Sequence, residues 1–542
     1  MEFNIADLIE AASDALPDRE VLVVGDKRRT YQELNERANR LAHHFLDRGI
    51  GRGDHIGIYA HNCVEFVESM LAAYKIRAVP ININFRYVDE ELRYLFDNAD
   101  LVAIVHELRF APRIAAVREQ MPKLRHFVRI EDDSGEGDAG LGSVEYEQAL
   151  AAASPERDFE PRSGDDLYIL YTGGTTGMPK GVVWRQEDVI FALGGGIDHL
   201  TGVPAKRPED MTEKAKSGPG LTMFPIAPLM HGAAQWGTLG SLFAGSRTVL
   251  HGGSFDPDEI WRIVERERVN TIAVTGDAMA RPLVEALEAP GASYDLSSLL
   301  AFSSTAAVFS PSVKAQFKRL HPNLVLTDAT GSTETGFTGI TMVQEEDLAK
   351  KKKKPGLTFN AGADTTVLDE NLQPLEPGSG VIGKLARSGN VPLGYYKDPK
   401  KTAEVFIEAM GKRWAIPGDF ATIEADGRIT MLGRGSVSIN SGGEKIFPEE
   451  VEAALKSHPA VFDVLVVGVP DERWGQRVAA VVQARAGQTP TLAELDQHCR
   501  QHVAGYKVPR ELHLVPQVQR SPSAKPDYPW AQTTAVEGKY KV

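Results

Sequence analysis

Residues 171–181 read Tyr-Thr-Gly-Gly-Thr-Thr-Gly-Met-Pro-Lys-Gly and follow a strand-like run at residues 166–170. Glycines let a backbone approach an anion closely, threonine hydroxyls donate hydrogen bonds to it, and Lys180 adds a positive charge. This combination is typical of a loop that binds polyphosphate. Loops rich in Gly and Thr are also found as ordinary turns, so both interpretations stay open on this stretch alone.

The stretch differs from the Walker A phosphate loop. In that motif Lys stands directly after Gly and directly before Ser or Thr. Here Pro179 precedes Lys180, and Gly181 follows it. A phosphate site at this position is therefore of another kind than that of the P-loop nucleotide hydrolases.

The length and composition of the chain are those of a globular enzyme with several structural units. A chain of 542 residues is too long for one hydrophobic core, so about two to four units are expected. Hydrophobic residues make up 42% and charged residues 25% of the sequence, which is ordinary for a globular protein. The net charge of −14 argues against general nucleic-acid binding.

The sequence predicts neither secretion nor membrane anchoring. Residues 1–5 lack the basic and apolar regions of a signal peptide,. No apolar run approaches the ~20 residues that span a bilayer. Cys63 and Cys499 provide neither a disulfide framework nor a metal cluster,. We therefore expect a cytoplasmic protein without stable membrane insertion.

Alternating helical and strand-like patterns in the first part of the chain predict an α/β fold. Thr30 and Glu33 have the spacing of a capping box, and the apolar residues from 34 to 45 recur at helical spacing,. Strands are predicted at residues 55–60, 78–83 and 101–105, with a helix at 64–74 between the first two. Repeated βα units imply parallel sheets with helices on their faces.

A compact α+β pattern follows a predicted boundary near residues 434–437. The predicted elements are a helix at 448–457, strands at 461–469 and 478–484, a helix at 492–503 and a strand at 511–515. Before this boundary, Lys350–Lys354 form a run of five lysines. We interpret this run as a solvated loop; the alternative is a site that attracts CoA phosphates or an anionic membrane.

Several motifs resemble, in order, those of the adenylate-forming superfamily, which includes acyl-CoA synthetases, firefly-type luciferases and peptide-synthetase adenylation domains. They are residues 171–181, Asp328-Ala329-Thr330-Gly331-Ser332-Thr333-Glu334, Gly418-Asp419-Phe420, Leu432-Gly433-Arg434, Ser441-Gly442-Gly443-Glu444-Lys445 and Arg520-Ser521-Pro522-Ser523-Ala524-Lys525. The resemblance implies an N-terminal adenylation domain at 1–434, a hinge at 435–437 and a small mobile C-terminal domain at 438–542.

The resemblance also implies a site for ATP and Mg²⁺. The residues implied to bind ATP are Thr172, Gly173, Gly174, Thr175, Thr176, Gly177, Lys180, Ser304, Thr305, Ala306, Asp328, Ala329, Thr330, Gly331, Ser332, Thr333, Asp419, Arg434 and Lys525. Thr172 and Glu334 are implied to hold the metal ion, which prefers oxygen ligands. Asp419 is implied to accept hydrogen bonds from the ribose hydroxyls.

Two reactions are implied at this site. Lys525 is implied to bridge the carboxylate and the α-phosphate during adenylation. The C-terminal domain is then implied to rotate about a hinge at Ser436, so that the loop of Ser441, Gly442, Gly443, Glu444 and Lys445 receives CoA. His231 matches a residue that gates the acyl pocket, although a lone His beside Met230 is equally well read as a packed core residue.

Five positions depart from the common pattern of the superfamily. They are Thr330 in place of Tyr, Ser436 in place of Asp or Lys, Asn440 in place of Lys, Pro417 in place of Thr, and Ala524 in place of Gly. None of them removes a charged catalytic group. The change at Ser436 predicts an altered balance between domain states, and Thr330 makes ring stacking on adenine doubtful.

The acyl substrate is predicted from a narrower resemblance. Residues 85–88, 92–98, 276–284 and 433–440 are similar to actinobacterial acyl-CoA synthetases that act on steroid side chains and long-chain fatty acids. We therefore expect bulky, branched or steroidal carboxylates first, medium-to-long fatty acids second and aryl-alkanoic acids third.

Two rival functions and the oligomeric state stay open on the sequence. An acyl-AMP ligase would load a carrier-protein thiol instead of CoA. A nucleotide-binding protein without catalysis is disfavoured because Lys525, Glu334 and Asp419 are all present. The expected partners are the carboxylate, ATP and CoA, and no nucleic acid is expected. A monomer and a homodimer both stay open.

Overall fold

The computed structural model describes residues 1–172, 178–197, 203–218, 220–307, 309–343, 357–441, 444–471, 474–521 and 524–542. For Arg434, Ser436, Glu444 and Lys445 it describes the backbone alone. The chain packs into two compact units. The first comprises residues 1–273, 294–299 and 390–406; the second comprises residues 274–293, 300–389 and 407–542.

Helices occur in both units. They are α1 (Ile5–Ala15), α2 (Tyr31–Leu46), α3 (Val64–Lys75), α4 (Asp89–Asn98), α5 (Ala111–Arg118), α6 (Tyr146–Ala151), α7 (Gln186–Leu193), α8 (Pro208–Ser217), α9 (Gly232–Phe243), α10 (Pro257–Arg266), α11 (Gly276–Glu288), α12 (Pro311–Leu320), α13 (Pro399–Val405), α14 (Pro448–Lys456), α15 (Leu492–Cys499) and α16 (Tyr528–Glu537). Short 3₁₀ turns lie at Leu108–Phe110 and Gly435–Val437.

The strands of the first unit are β1 (Glu20–Val24), β2 (Lys27–Thr30), β3 (His55–Tyr59), β4 (Val79–Asn82), β5 (Leu101–Glu107), β6 (His126–Ile130), β7 (Val144–Glu145), β8 (Leu167–Thr172), β9 (Lys180–Arg185), β10 (Thr222–Pro225), β11 (Arg247–Leu250), β12 (Thr271–Val274, whose last residue belongs to the second unit) and β19 (Gly394–Tyr395).

The strands of the second unit are β13 (Ala301–Thr305), β14 (Val325–Ser332), β15 (Gly336–Met342), β16 (Leu357–Ala361), β17 (Thr365–Leu368), β18 (Gly383–Arg387), β20 (Phe406–Ala409, whose first residue belongs to the first unit), β21 (Lys412–Ala415), β22 (Asp419–Ile423), β23 (Ile429–Arg434), β24 (Ile439–Ser441), β25 (Glu444–Ile446), β26 (Val461–Asp471), β27 (Gly475–Ala484) and β28 (Glu511–Val515).

The βα pattern predicted for the start of the chain is confirmed. Five strands form a parallel sheet in the order β4-β3-β5-β6-β7. Helix α2 begins at the predicted capping box, in which the Glu33 backbone N–H donates to Thr30 Oγ1 and the Thr30 N–H donates to the Glu33 carboxylate. Its predicted apolar positions are all buried, namely Leu34, Ala38, Leu41, Ala42 and Phe45.

Two further sets of strands complete the first unit. Strands β1, β11, β10 and β12 are joined by parallel pairing, with β2 antiparallel to β1 at the edge. Strands β8 and β9 form an antiparallel hairpin that β19 extends. The hairpin flanks the glycine-rich stretch, so the strand predicted before that stretch is confirmed.

The second unit departs from the parallel pattern after β14. Strands β13 and β14 pair in parallel, whereas β14, β15, β16, β23, β22 and β18 pair antiparallel in that order. A parallel pair needs a crossover of about a dozen residues or more, and only residues 333–335 separate β14 from β15. The short connection therefore imposes antiparallel pairing on β14 and β15, which the early βα pattern does not predict.

Residues 439–542 form a smaller α+β domain. Strands β25, β24, β27 and β26 are antiparallel, and β28 joins β27 in parallel. The predicted helix at 492–503 is shorter than expected and ends at Cys499. The backbone N–H groups of His502 and Val503 both donate to the Cys499 carbonyl, which closes a turn instead of continuing the helix,. The exact domain limits stay a prediction.

No helix within the described ranges is sufficiently long and apolar to cross a bilayer. The lysine run at Lys350–Lys354 lies outside the described residues, and its interpretation stays a prediction.

Candidate active site

The glycine-rich stretch is held between two paired strands of the first unit. Thr172 ends β8 and Lys180 begins β9, and the two residues are direct partners in the ladder. Gly173, Gly174, Thr175, Thr176 and Gly177 lie outside the described residues. Lys180 Nζ is bonded to the Asp398 carboxylate, and this bond holds the pKa of Asp398 below its usual value.

Asn82 fastens the end of β8 to the segment before His231. Its side-chain NH₂ donates to the carbonyl oxygens of Tyr171 at 2.8 Å and Met230 at 2.7 Å. Its side-chain oxygen accepts from the Tyr171 backbone N–H at 2.9 Å. The side chain is buried and all of its hydrogen-bonding groups are engaged,. Sequence reasoning missed Asn82, because a single Asn at the end of a strand belongs to no recognisable motif.

His231 is the residue that precedes helix α9, and it is half-buried. The start of the helix packs closely on β8, since a Cβ at Gly232 would lie 2.6 Å from Leu170 Cδ2. Gln235 strengthens this contact by accepting from the Tyr168 hydroxyl at 2.9 Å and donating to Leu229 O at 2.9 Å. His231 therefore stands on a fixed helix start, which suits either a gating or a packing role.

Strands β13 and β14 bring two predicted nucleotide-binding segments together in the second unit. Ser304 pairs with Asp328, and Thr305 pairs with Ala329. The Ser304 hydroxyl accepts from the Gly276 N–H at 3.0 Å, and the Asp328 carboxylate is bonded to buried Lys314. These side chains are engaged in the fold, so the backbone of the segments is the part best placed to contact a nucleotide.

Glu334 lies at the tip of the hairpin that joins β14 to β15. The tip is tied together by Ser332 and Thr335, whose hydroxyl oxygens lie 3.1 Å apart. Buried Arg387 donates to Thr335 O at 2.5 Å, and burial lowers the pKa of its guanidinium to about 10 against the opposing charge of Asp364. This hairpin presents Thr333 and Glu334, both half-buried, from a rigid base.

The Thr330 hydroxyl is hydrogen-bonded within the same hairpin. Its hydroxyl donates to Gly339 O at 3.1 Å and accepts from the Thr338 hydroxyl at 3.0 Å. A Cβ at Gly331 would lie 2.4 Å from Gly336 O, so the two strands approach each other closely there. Thr330 thus closes the hairpin.

Asp419 and Arg434 are direct partners across strands β22 and β23. A glycine directly precedes each member of this pair: Gly418 has φ +102°, and Gly433 has φ +139° with its Cβ position only 2.3 Å from Glu449 Oε2. Ser436 lies directly afterwards in the short 3₁₀ turn. Two residues with implied ribose and phosphate contacts are therefore adjacent to the predicted hinge.

The predicted CoA-binding segment forms a second tight hairpin. Ser441 in β24 pairs with Glu444 in β25, and Ser441 also pairs with Gly475. Gly442 and Gly443 lie outside the described residues, and Lys445 follows Glu444 in β25.

Lys525 stands exposed at the end of a turn that begins at Ser521. The Ser521 N–H donates to Lys525 O at 2.8 Å, and the Lys525 N–H donates to Ser521 Oγ at 3.1 Å. Ala524 has φ +59°, a left-handed conformation that favours glycine,. The substitution of Ala for Gly at this position thus leaves the turn in the conformation that glycine would adopt.

Comparison with known proteins identifies this set of motifs. Residues 9–396 match the family model "AMP-binding enzyme", and residues 450–525 match "AMP-binding enzyme C-terminal domain". The first match spans more than half of the chain, so the chain belongs to the family of AMP-binding, adenylate-forming enzymes.

Curated relatives show which kind of adenylate-forming enzyme the chain resembles. The chain is 53% identical over 538 residues to 3-oxocholest-4-en-26-oate–CoA ligase of Rhodococcus rhodochrous, covering 98% of this chain and 96% of the relative. It is 54% identical over 529 residues to medium/long-chain-fatty-acid–CoA/3-oxocholest-4-en-26-oate–CoA ligase of Mycobacterium tuberculosis (strain H37Rv), covering 98% and 95%. At this level of identity the chain is an AMP-forming acid–thiol ligase.

Solved structures agree on the fold. The anthranilate CoA ligase AuaEII in complex with anthranoyl-AMP matches 98% of this chain and 97% of its own, with a TM-score of 0.84 and 22% identity. A Mycobacterium tuberculosis fatty acyl CoA synthetase matches with a TM-score of 0.69 and 24% identity, covering 98% of both chains. The expected fold class is therefore confirmed.

Proposed function

We propose that this protein converts a steroid side-chain carboxylate into its CoA thioester with ATP, and that medium-to-long fatty acids are its second substrate class. The observation that carries the proposal is the 53% identity, over 98% of this chain, with a ligase named for 3-oxocholest-4-en-26-oate. Aryl-alkanoic acids rank third. We keep the cytoplasm as the expected compartment, and the oligomeric state stays open.

The proposed reaction has two steps. A carboxylate oxygen attacks the α-phosphorus of ATP, the bond to the β-phosphate oxygen breaks, and pyrophosphate leaves. The thiolate of CoA then attacks the acyl carbon of the acyl-adenylate, the bond to the phosphate oxygen breaks, and AMP leaves. Negative charge develops on oxygen in both steps, so cations and hydrogen-bond donors must stabilise it.

The residue roles in this proposal rest on the motif resemblance and fit the chemistry of the side chains. Thr172 and Lys180 would contact the β- and γ-phosphates, and Thr333 the α-phosphate. Asp419 would hold the ribose, and the exposed ammonium of Lys525 would bridge carboxylate and α-phosphate. The segment at Ser441–Lys445 would receive the pantetheine after a rotation about Ser436.

A Mg²⁺ ion fits the donor set that the resemblance implies. Within the described ranges, no cluster of three or more His, Cys, Asp or Glu side chains could hold a metal ion. The Thr172 hydroxyl and the Glu334 carboxylate are both hard oxygen donors, which suit a cation that is otherwise bound by substrate phosphates. When bound, Mg²⁺ would neutralise phosphate charge.

The decisive experiment is a substrate panel with purified protein, ATP, Mg²⁺ and CoA. Steroid side-chain acids, fatty acids of several lengths and aryl-propionic acids are each supplied with and without CoA, and AMP release is measured. We expect CoA-dependent turnover that is fastest with a steroid acid. Turnover confined to fatty acids would reverse the substrate order.

The same panel separates the two rival functions. Pyrophosphate–ATP exchange with an acid that gives no AMP in the presence of CoA would favour transfer to a carrier-protein thiol. A complete lack of exchange with every acid would favour a nucleotide-binding protein without catalysis. The full-length similarity to named CoA ligases favours neither of them.

A further inference from the structure

A buried ion pair lies at the start of the turn that carries Lys525. Arg520 donates from Nε to Asp463 Oδ2 at 2.6 Å and from Nη2 to Asp463 Oδ1 at 2.7 Å. The two side chains are only 11% and 13% exposed. A bidentate pair of this kind fixes the plane of the guanidinium as well as its position, because both parallel bonds must be kept.

The same guanidinium also reaches the turn itself. Arg520 Nη1 donates to Ala524 O at 3.1 Å, and Arg520 pairs through its backbone with Pro526. The carbonyl group of Ala524 belongs to the peptide bond that leads into Lys525. Arg520 therefore connects the long strand β26, which carries Asp463, to the residue immediately before the exposed lysine.

Asp463 is itself held firmly. Lys456 Nζ lies 3.4 Å from its carboxylate and is 4% exposed. Burial alone would raise the pKa of Asp463, but the charges of Lys456 and Arg520 outweigh burial and lower it to about 2. Buried Glu452 faces the same cluster, and its carboxylate accepts from the Val466 N–H at 3.0 Å. Asp463 is therefore ionised at neutral pH.

The other end of the turn is fixed independently. Asp527 caps helix α16 by accepting from the Trp530 N–H at 3.0 Å. The helix packs on β26, and Gln532 donates to Gly468 O at 2.8 Å. Lys525 is exposed and its side chain is long, so the position of its Cα, which this turn holds, sets the region that its ammonium can reach,.

We infer that the Asp463–Arg520 pair is a positioning element for Lys525, which sets the turn in the orientation that adenylation requires. The inference rests on the proposed role of Lys525 in that step. Misplacing a reacting group by about 1 Å can cost about 100-fold in rate. The pair acts through Lys525, so it matters for adenylation and not for the attack of CoA on the acyl-adenylate.

The test uses the full chain and separates the two half-reactions. Arg520→Lys keeps the charge but loses the bidentate fork, and Asp463→Asn keeps the shape but loses the charge. Lys507→Met is the matched control, because Lys507 pairs at 2.7 Å with buried Glu450 in the same domain. We expect Arg520→Lys to lower kcat for acyl-AMP formation about tenfold or more, with the KM for ATP within about twofold.

Thioester formation from supplied acyl-AMP and the thermal midpoint should stay close to those of Lys507→Met. Equal loss in both half-reactions, or an equal loss of adenylation in Lys507→Met, would mean that the pair only stabilises the fold. Asp463→Asn provides the second measurement if Arg520→Lys does not fold.

A double-mutant cycle tests whether Arg520 acts through Lys525. In the Lys525→Ala background, Arg520→Lys should cause no further loss of single-turnover acyl-AMP formation. A full additional loss there would overturn the inference. Normal adenylation by Lys525→Ala would overturn both the proposed role of Lys525 and the positioning role of the Asp463–Arg520 pair. Normal adenylation by Arg520→Lys alone would overturn only the positioning role of the pair.

Discussion

The strand end that carries Thr172 is held by Asn82, and the turn that carries Lys525 is held by Asp463 through Arg520. Asn82 and Asp463 both lie outside the motifs that they support, but the chemistry of the two anchors differs. In the first unit a neutral amide, Asn82, makes three hydrogen bonds to backbone atoms. In the second unit the anchor is an ion pair. Arg520 donates two hydrogen bonds to the Asp463 carboxylate and a third to the backbone carbonyl of Ala524.

The two anchors differ in what their loss would cost. A buried neutral amide costs little to desolvate once every donor and acceptor is engaged. A buried ion pair is costly to desolvate, and removing one partner leaves an uncompensated charge. The lysine turn should therefore be the more sensitive of the two regions to loss of its anchor, and the phosphate-loop strand the more tolerant.

The largest effect on stability is expected from Asp463→Ala. The change leaves Arg520 and Lys456 buried without their carboxylate, which should cost about 3–5 kcal/mol in the free energy of unfolding. Chemical denaturation monitored by circular dichroism measures this. A smaller loss of unfolding free energy than that caused by Asn82→Ala would contradict the expected order of the two regions.

The largest effect on chemistry is expected from Lys525→Ala. Losing a charge that acts only in the transition state should slow acyl-AMP formation about 10²–10³-fold, while thioester formation from supplied acyl-AMP survives. Acid-dependent pyrophosphate–ATP exchange and a single-turnover thioester assay measure the two steps. Equal losses in both would contradict the proposed division of labour.

A smaller effect is expected from Asn82→Ala. The change leaves the Tyr171 N–H without its side-chain acceptor and two carbonyl groups without a donor, which should cost about 1–3 kcal/mol and raise the KM for ATP. Asn84→Ala is the matched control, since the half-buried Asn84 side chain accepts from the nearby Arg86 N–H and bonds to Tyr87. An unchanged KM for ATP would show that the strand end is held by its ladder alone.

As the pH falls, we expect the first unit to lose stability before the Asp463–Arg520 pair of the second unit is affected. Burial, the nearby His44 and the charge of Arg48 lower the pKa of His126 to about 4. The Nε2 atoms of His44 and His126 lie 2.9 Å apart. The unfolded chain takes up this proton near pH 6.5, so stability is full above that pH and falls between pH 6.5 and 4.

Solvent contact at half-buried His126 screens this effect, so we expect a loss of about 1–2 kcal/mol over that range. Thermal midpoints measured from pH 7 to pH 4 test it, and His126→Gln should flatten the profile. Hydrogen exchange localises the change to α2 and β6. Earlier exchange around β26 would contradict the order of the two regions.

The smallest effect is expected from Ala524→Gly. Glycine would relieve the left-handed strain of about 1–2 kcal/mol but would lose more chain entropy, by roughly 0.5–1 kcal/mol. We expect a thermal midpoint that is unchanged or slightly higher, with normal adenylation. Slower adenylation in this variant would show that the alanine methyl group itself helps to orient the turn.

The sequence predicts local structure well where one pattern decides it. The capping box at Thr30 and Glu33 and the apolar spacing after it place α2 correctly, and strand β28 has the predicted bounds, Glu511–Val515. The antiparallel pairing after β14 was not predicted, because the residue pattern within a strand does not specify the direction of the neighbouring strand.

The anchors escape sequence reasoning for another reason. Arg520 and Asp463 are 57 residues apart in the chain, and Asn82 is 89 residues from Tyr171. Each is a common residue type that gains its role only when distant strands are brought together. Arg520 belongs to the motif that ends at Lys525, but its link to Asp463 becomes visible only in the folded chain, and so does the role of Asn82.

Gly181 shows that one family motif can contain residues kept for ligand binding and residues kept for packing. It ends the glycine-rich stretch, yet its φ is not in the left-handed region, and a Cβ there would lie 2.7 Å from the Tyr171 ring. Any side chain at this position would clash with the Tyr171 ring. We therefore expect selection for glycine here even in a protein that binds no phosphate. Laboratory evolution toward other nucleotides should therefore leave Gly181 unchanged as long as Tyr171 is retained.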